Sequence, residues 1–80
     1  ARANLKKHGV SFEEAVTALA DPNAISAPDI FERDRWIVIG RSAMLRVLFV
    51  VQTEQHRTGR IRIISARKAS PAQRRKYEEA

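Results

Sequence analysis

The chain has no cysteine. That removes disulfides, thiol nucleophiles and thiolate metal sites together, and it suits a reducing, cytoplasmic setting. It has two histidines, His8 and His56, set far apart, so a transition-metal site made from protein ligands alone is not expected. No apolar run approaches the roughly 20 residues a membrane helix needs, and no secretory signal pattern is present. Three isolated glycines do not make a phosphate-cradling loop, and no nucleophile–histidine–acid pattern can be assembled. No bound cofactor is implied. The most pointed absence is local: between His56 and Tyr77 there is no acidic residue.

Eighty residues, 44% hydrophobic and 30% charged, describe one small folded domain spanning residues 1–80. The formal net charge is +6, and its distribution matters more than its size. Residues 1–55 carry seven Lys/Arg and seven Asp/Glu, whereas residues 56–77 carry eight Lys/Arg and no acid before Glu78 and Glu79. A localised basic footprint suits a polyanion, because contacts to phosphates release counterions. The competing reading is ordinary solubility charge.

The pattern along the chain predicts α+β. Residues 1–8 have helix-forming composition and end at Gly9, a residue suited to a helix C-terminus. Ser11 and Glu14 have capping-box spacing, and Phe12, Ala15, Val16 and Leu19 repeat at helical intervals before Asp21-Pro22 stops the helix. Residues 21–34 read as a loop. Strands are expected over 35–41 (RWIVIGR), 44–54 (MLRVLFVVQTE) and 60–66 (RIRIISA), with breaks at Ser42-Ala43 and Thr58-Gly59. Short links make these an antiparallel meander. Ser70, Pro71 and Gln73 form an N-cap, first-turn proline and capping-box partner, predicting a helix over 71–79.

Alternation along the last strand puts Arg60, Arg62, Ile64 and Ala66 on one side and Ile61, Ile63, Ser65 and Arg67 on the other, although Arg67 and Lys68 lie where the strand ends. If helices cover one face, Ile61 and Ile63 are buried and Arg60 and Arg62 stay open. Arg46, the one charge within MLRVLFVV, is expected beside Arg62 on that open face, since a charge inside an apolar run needs solvent, a partner or an anion. Several arginines on one face suit phosphate, because guanidinium groups contact its oxygens bidentately. For each arginine alone, a salt bridge to Asp or Glu is an equally good reading. The groups able to move a proton are His8, Glu54, His56, Tyr77 and the lysines Lys7 and Lys68, with packing as the competing role for His8 and Tyr77. Phe31 and Trp36, beside an edge strand, are expected to complete the core, the alternative being a partner surface.

Three segments resemble the BrnT family of bacterial toxins: NLKKHGVSFEEA (4–15), ERDRW (32–36) with IG at 39–40, and GRIRIISARKA (59–69) leading to RRKY (74–77). The resemblance runs through the whole chain in order. Family members usually begin earlier, with a short strand before the first helix. The resemblance implies a RelE-like fold with two N-terminal helices, a three-stranded antiparallel meander and a C-terminal helix. It implies the toxin of a type II toxin–antitoxin system, a ribonuclease that cuts RNA, namely mRNA either free or on the ribosome, and blocks translation. The implied partner is a BrnA-type antitoxin with a ribbon-helix-helix part, forming a hetero-oligomer that reaches operator DNA through the antitoxin.

Carried over from the resemblance, Arg62, Arg67, Lys68, His8 and Tyr77 are the expected catalytic residues. Lys7, Arg46, Arg60, Arg74 and Arg75 are the expected RNA contacts. No metal is implied: the ribose 2′-OH can serve as nucleophile and leave a cyclic phosphate. Arginine stays protonated, so Arg62 and Arg67 would stabilise charge, and His8 is the preferred base. The alternative function is a non-catalytic basic module that binds nucleic acid or docks an antitoxin.

Overall fold

The structure is a computed structural model that describes residues 9–55 and 58–80. In chain order it contains α1 (Phe12–Leu19), β1 (Ile25–Pro28), β2 (Arg35–Arg41), β3 (Val47–Gln55), β4 (Arg60–Lys68) and α2 (Pro71–Glu79). The expected α+β class holds, but the sheet has four strands, all antiparallel, in the order β1-β2-β3-β4. The helix expected over residues 1–8 lies outside the described residues.

The extra strand, β1, occupies part of the expected loop. Its four residues pair Ile25 with Ile39 and Ala27 with Ile37, so neighbouring β2, rather than local propensity, makes ISAP extended. The next link also differs: β3 starts at Val47, not residue 44. Ser42 N–H donates to the Arg46 carbonyl at 2.8 Å, and Leu45 N–H donates to the Ser42 carbonyl at 2.9 Å. Leu45 takes φ 64° inside this closed turn, which ends the ladder. The other hairpin turns at Gly59, whose φ of 67° suits glycine. β4 continues two residues further than expected, to Lys68.

α1 covers one face of the sheet. Its Ser11 cap accepts the Glu14 N–H at 3.0 Å, and Glu13 and Glu14 sit at the positive pole. Ala15 and Ala18 meet Val38, Leu48, Val50 and Ala66 with Val10, and Leu19, Ala24 and Ile63 pack at the margin. Small residues let helix and sheet approach closely: a Cβ on Gly40 would run into the Ala18 carbonyl oxygen. Leu48, Val50 and Val10 are fully buried, each contributing about 1.5–3 kcal/mol.

α2 packs against β2 and β3 from the other side, so helices flank both faces rather than one. Both reciprocal bonds of its capping box are present: Gln73 N–H donates to Ser70 Oγ at 3.2 Å, and Ser70 N–H donates to Gln73 Oε1 at 2.9 Å. At α1 only half the expected box forms, because the Glu14 carboxylate turns toward Arg46. The expected burial of Ile61 and Phe31 does not hold either, at 57% and 86% exposed. Phe31 lies in the β1–β2 loop, where its N–H donates to Asp29 Oδ1, and Trp36 is 36% exposed; neither completes the core.

Candidate nucleic-acid interface

The face opposite α1 is set by one irregularity. Val51 pairs with Ser65, but Gln52 pairs with Ile63, so Ile64 is an extra residue in β4. A bulge of this kind reverses the side-chain phase beyond it. Ala66 therefore turns into the α1 core, while Ser65 and Arg67 join Arg60 and Arg62 on the opposite face. Simple alternation separates Arg67 from Arg62 and groups Ala66 with the arginines; the bulge corrects both placements.

Register now orders the face in rows. Arg35, Thr53 and Arg62 are mutually opposite across three strands; Ile37, Val51 and Ser65 form the next row; Ile39, Phe49 and Arg67 form the third. Arg62 and Arg67 thus sit two rows apart, roughly 13 Å along β3 at about 3.3 Å per residue. Arg60 extends the line beyond Arg62, opposite Gln55. Arg35 was not singled out from the sequence, although it shares parity with Ile37 and Ile39 in RWIVIGR. Arg35, Thr53 and Arg62 also border a shallow depression with Phe12 and Ile63.

Two neighbours hold Arg67. Its guanidinium lies 4.3 Å from the centroid of the Phe49 ring, a cation–π contact. The Arg67 Nη1 amino group donates to Gln73 Oε1 at 3.3 Å and to the Lys68 carbonyl at 3.3 Å. The same Gln73 oxygen caps α2, so the helix start and the arginine share an acceptor. Arg60, Arg62 and Arg67 have no carboxylate partner among the described residues. The strand positions on this face supply cations, the Thr53 and Ser65 hydroxyls and apolar side chains, with no carboxylate between Arg35 and Arg41 on β2 or between Val47 and Thr53 on β3.

Arg46 is elsewhere. It sits in the β2–β3 turn on the α1 side and forms an ion pair with Glu14. Its Nε–H donates to Glu14 Oε2 at 2.9 Å, and another guanidinium N–H donates to the Gly9 carbonyl at 3.0 Å. Ser42, itself buried, donates to the same carboxylate at 2.7 Å. The Arg46 bond leads in holding the Glu14 carboxyl below its usual range against burial, and Glu14 in turn raises Arg46. The expectation that Arg46 stands beside Arg62 is therefore overturned: its charge is consumed in joining α1 to the turn.

Tyr77 is engaged as well. Its hydroxyl donates to Asp21 Oδ2, which also accepts the Arg41 N–H at 2.8 Å, while Asp21 Oδ1 accepts the Asn23 N–H at 2.9 Å. The Arg41 guanidinium lies 5.7 Å from the Tyr77 ring centroid. Tyr77 above all, then the two amides, lowers the Asp21 carboxyl; Asp21 raises the Tyr77 phenol. This latch lies beyond the Arg67 row, at the Arg41 end of β2. Lys68 pairs opposite Leu48, on the α1 side, and Glu54 is on that side too, opposite Ile61. Arg74 and Arg75 are exposed on α2. Lys7, His8 and His56 lie outside the described residues.

A line of cations without internal counter-charges can bind a polyanion and stabilise charge developing on a phosphate. Among the described residues no group of His, Cys, Asp and Glu could hold a metal ion. The geometry thus defines a sheet face whose arginines have no carboxylate partner among the described residues. Residues 1–73 match the family model described as ribonuclease toxin, BrnT, of type II toxin–antitoxin system, and the chain belongs to that family. No curated protein matches it. Family membership makes the chain a ribonuclease toxin, with RNA as substrate and an antitoxin as partner. No helix among the described residues is long and apolar enough to cross a membrane.

Proposed function

We propose that the chain cleaves RNA without a metal, on the face bearing Arg60, Arg62, Arg67 and Arg35, and so stops translation in the cytoplasm. One observation carries this reading: the β4 bulge gathers Arg60, Arg62 and Arg67 on one face, with no carboxylate partner among the described residues. In the proposed reaction the ribose 2′-oxygen attacks phosphorus and loses its proton to a base. The bond from phosphorus to the 5′-oxygen breaks, that oxygen takes a proton, and a 2′,3′-cyclic phosphate remains. Arg62 and Arg67, always charged, stabilise the phosphorane, while Arg60 and Arg35, both at the Arg62 end of the face, follow the backbone there. His8 is the proposed base, because the sequence offers no better-tuned acid–base residue. Tyr77 is given no step, because its proton is held by Asp21. The RelE-like fold, and neutralisation by a BrnA-type ribbon-helix-helix antitoxin that carries the complex to operator DNA, complete the proposal.

The test is incubation of purified chain with RNA, with and without EDTA, followed by analysis of product ends. Cyclic-phosphate ends that persist in EDTA are expected. Intact RNA, with binding that weakens smoothly as salt rises, would replace the enzyme with a binding module.

A further inference from the structure

Beside the arginine rows lies an open groove of about 550 Å³ between α2 and the sheet. Ile25, Ile37, Ile39 and Phe49 form its floor, and Ala72 and Lys76 border it from the helix. We propose that this groove receives an apolar, acid-bearing segment of the antitoxin, and that the segment neutralises the toxin by pairing with Arg67.

Three features select that occupant. The floor is aliphatic at three of these four positions, and the Arg67 guanidinium already lies over the Phe49 ring; a nucleobase would want a free aromatic face and polar groups along its edge. The cations at the groove, Lys76 at its border and Arg67 behind Phe49, have no carboxylate partner among the described residues, so acidic side chains complement them. Phe49 belongs to both places, lining the groove and carrying Arg67. A segment seated on the floor therefore ends beside Arg67, where its carboxylate competes with an RNA phosphate for one guanidinium. Docking stands on the groove alone; its inhibitory consequence rests on the reading of the arginine face as the RNA site.

The test uses the full chain and its cognate antitoxin, with affinity read by calorimetry. Ala72→Glu and Lys76→Glu should each weaken antitoxin binding about tenfold or more, while RNA cleavage without antitoxin stays within about twofold of wild type. Val16→Glu, exposed on α1, should leave affinity unchanged. Inhibition should also be competitive, its apparent constant rising with RNA concentration. Wild-type antitoxin affinity in both groove variants, with folding verified by thermal melting, would overturn the proposal. So would loss of RNA cleavage with antitoxin binding intact, which would give the groove to RNA. A homodimer dissolved by Ala72→Glu would give it to a second copy and equally overturn the proposal. Calorimetry needs no turnover, so an inactive wild-type chain would overturn the ribonuclease reading and leave the docking result standing.

Discussion

On the α1 side of the sheet, Arg46 is surrounded by acceptors: both oxygens of Glu14 and the Gly9 carbonyl. On the other side, Arg60 and Arg62 stand exposed, and Arg67 is fixed by an aromatic ring and a glutamine, neither of which neutralises it. The same residue type thus does two kinds of work, separated by the thickness of one sheet. Where the carboxylate is buried, the guanidinium is committed to the fold. Where no carboxylate partner stands among the described residues, the charge stays uncompensated within the fold. The Phe49–Arg67–Gln73 arrangement orients a cation without cancelling its charge, which is what the proposed RNA face requires.

The largest expected effect is on the committed side. Arg46→Met leaves the Glu14 carboxylate buried without its partner, and should cost about 3 kcal/mol, the low end for breaking a buried pair. The low end applies because 32% of the Arg46 side chain is exposed. Against a total stability of roughly 5–15 kcal/mol this is a large fraction, and urea denaturation would measure it. Replacing both partners, Glu14→Leu with Arg46→Met, should recover most of the loss. RNA binding by the folded single variant should hardly change. If it falls as far as in an Arg62 variant, the contrast between the faces is wrong.

The open side should respond in the opposite sense. Arg67→Ala and Arg62→Ala should each lower RNA cleavage by about 100-fold while shifting stability by no more than roughly 0.5 kcal/mol for Arg62, the more exposed. Arg67→Lys should rescue only part of the activity, because an ammonium neither forks onto phosphate nor lies flat on Phe49. A variant pair that melts early but cleaves normally would move these arginines to the structural class. A smaller effect belongs to the covered face again: Gly40→Ala forces α1 away from β2 and should cost about 2 kcal/mol, seen as a lower melting temperature.

Much of this contrast was hidden in the sequence for identifiable reasons. Both described helices were legible, since Ser11 and Ser70 are strong caps and Pro22 and Pro71 act locally. The three long strands were legible from β-branched content. β1 was not, because ISAP becomes a strand by pairing with Ile37 and Ile39. Arg46 looked like a strand residue because Met44 and Leu45 are as apolar as Val47 and Leu48; the left-handed Leu45 that puts it in a turn carries no sequence mark such as glycine. The bulge was silent for the same kind of reason. Ile63 and Ile64 are both good strand residues, and nothing in their chemistry says which one is extra. That single offset decides which face Arg67 shares. The charge imbalance pointed to the last quarter of the chain, and only the fold shows which of those charges share a face.

The smallest expected effects lie at the latch between the C-terminal helix and the sheet, and they test whether Tyr77 belongs to the fold or to the reaction. Asp21 is held below its ordinary value in the folded state, so its contribution is present above about pH 3.9 and is lost as pH falls through the depressed folded value. Glu14 loses its contribution in the same direction. Tyr77 is raised, so its contribution is full below about pH 10 and disappears as pH rises through the higher folded value. Tyr77→Phe should therefore flatten the alkaline limb of a melting-temperature profile. It should only weaken the acid limb, because the Arg41 and Asn23 amides still hold Asp21 and the Glu14–Arg46 pair is untouched. Near neutral pH the variant should cleave RNA within about twofold of wild type. A large loss of cleavage with an unchanged melting profile would mean that the phenol leaves Asp21 when RNA binds, and would bring Tyr77 back to the reacting phosphate.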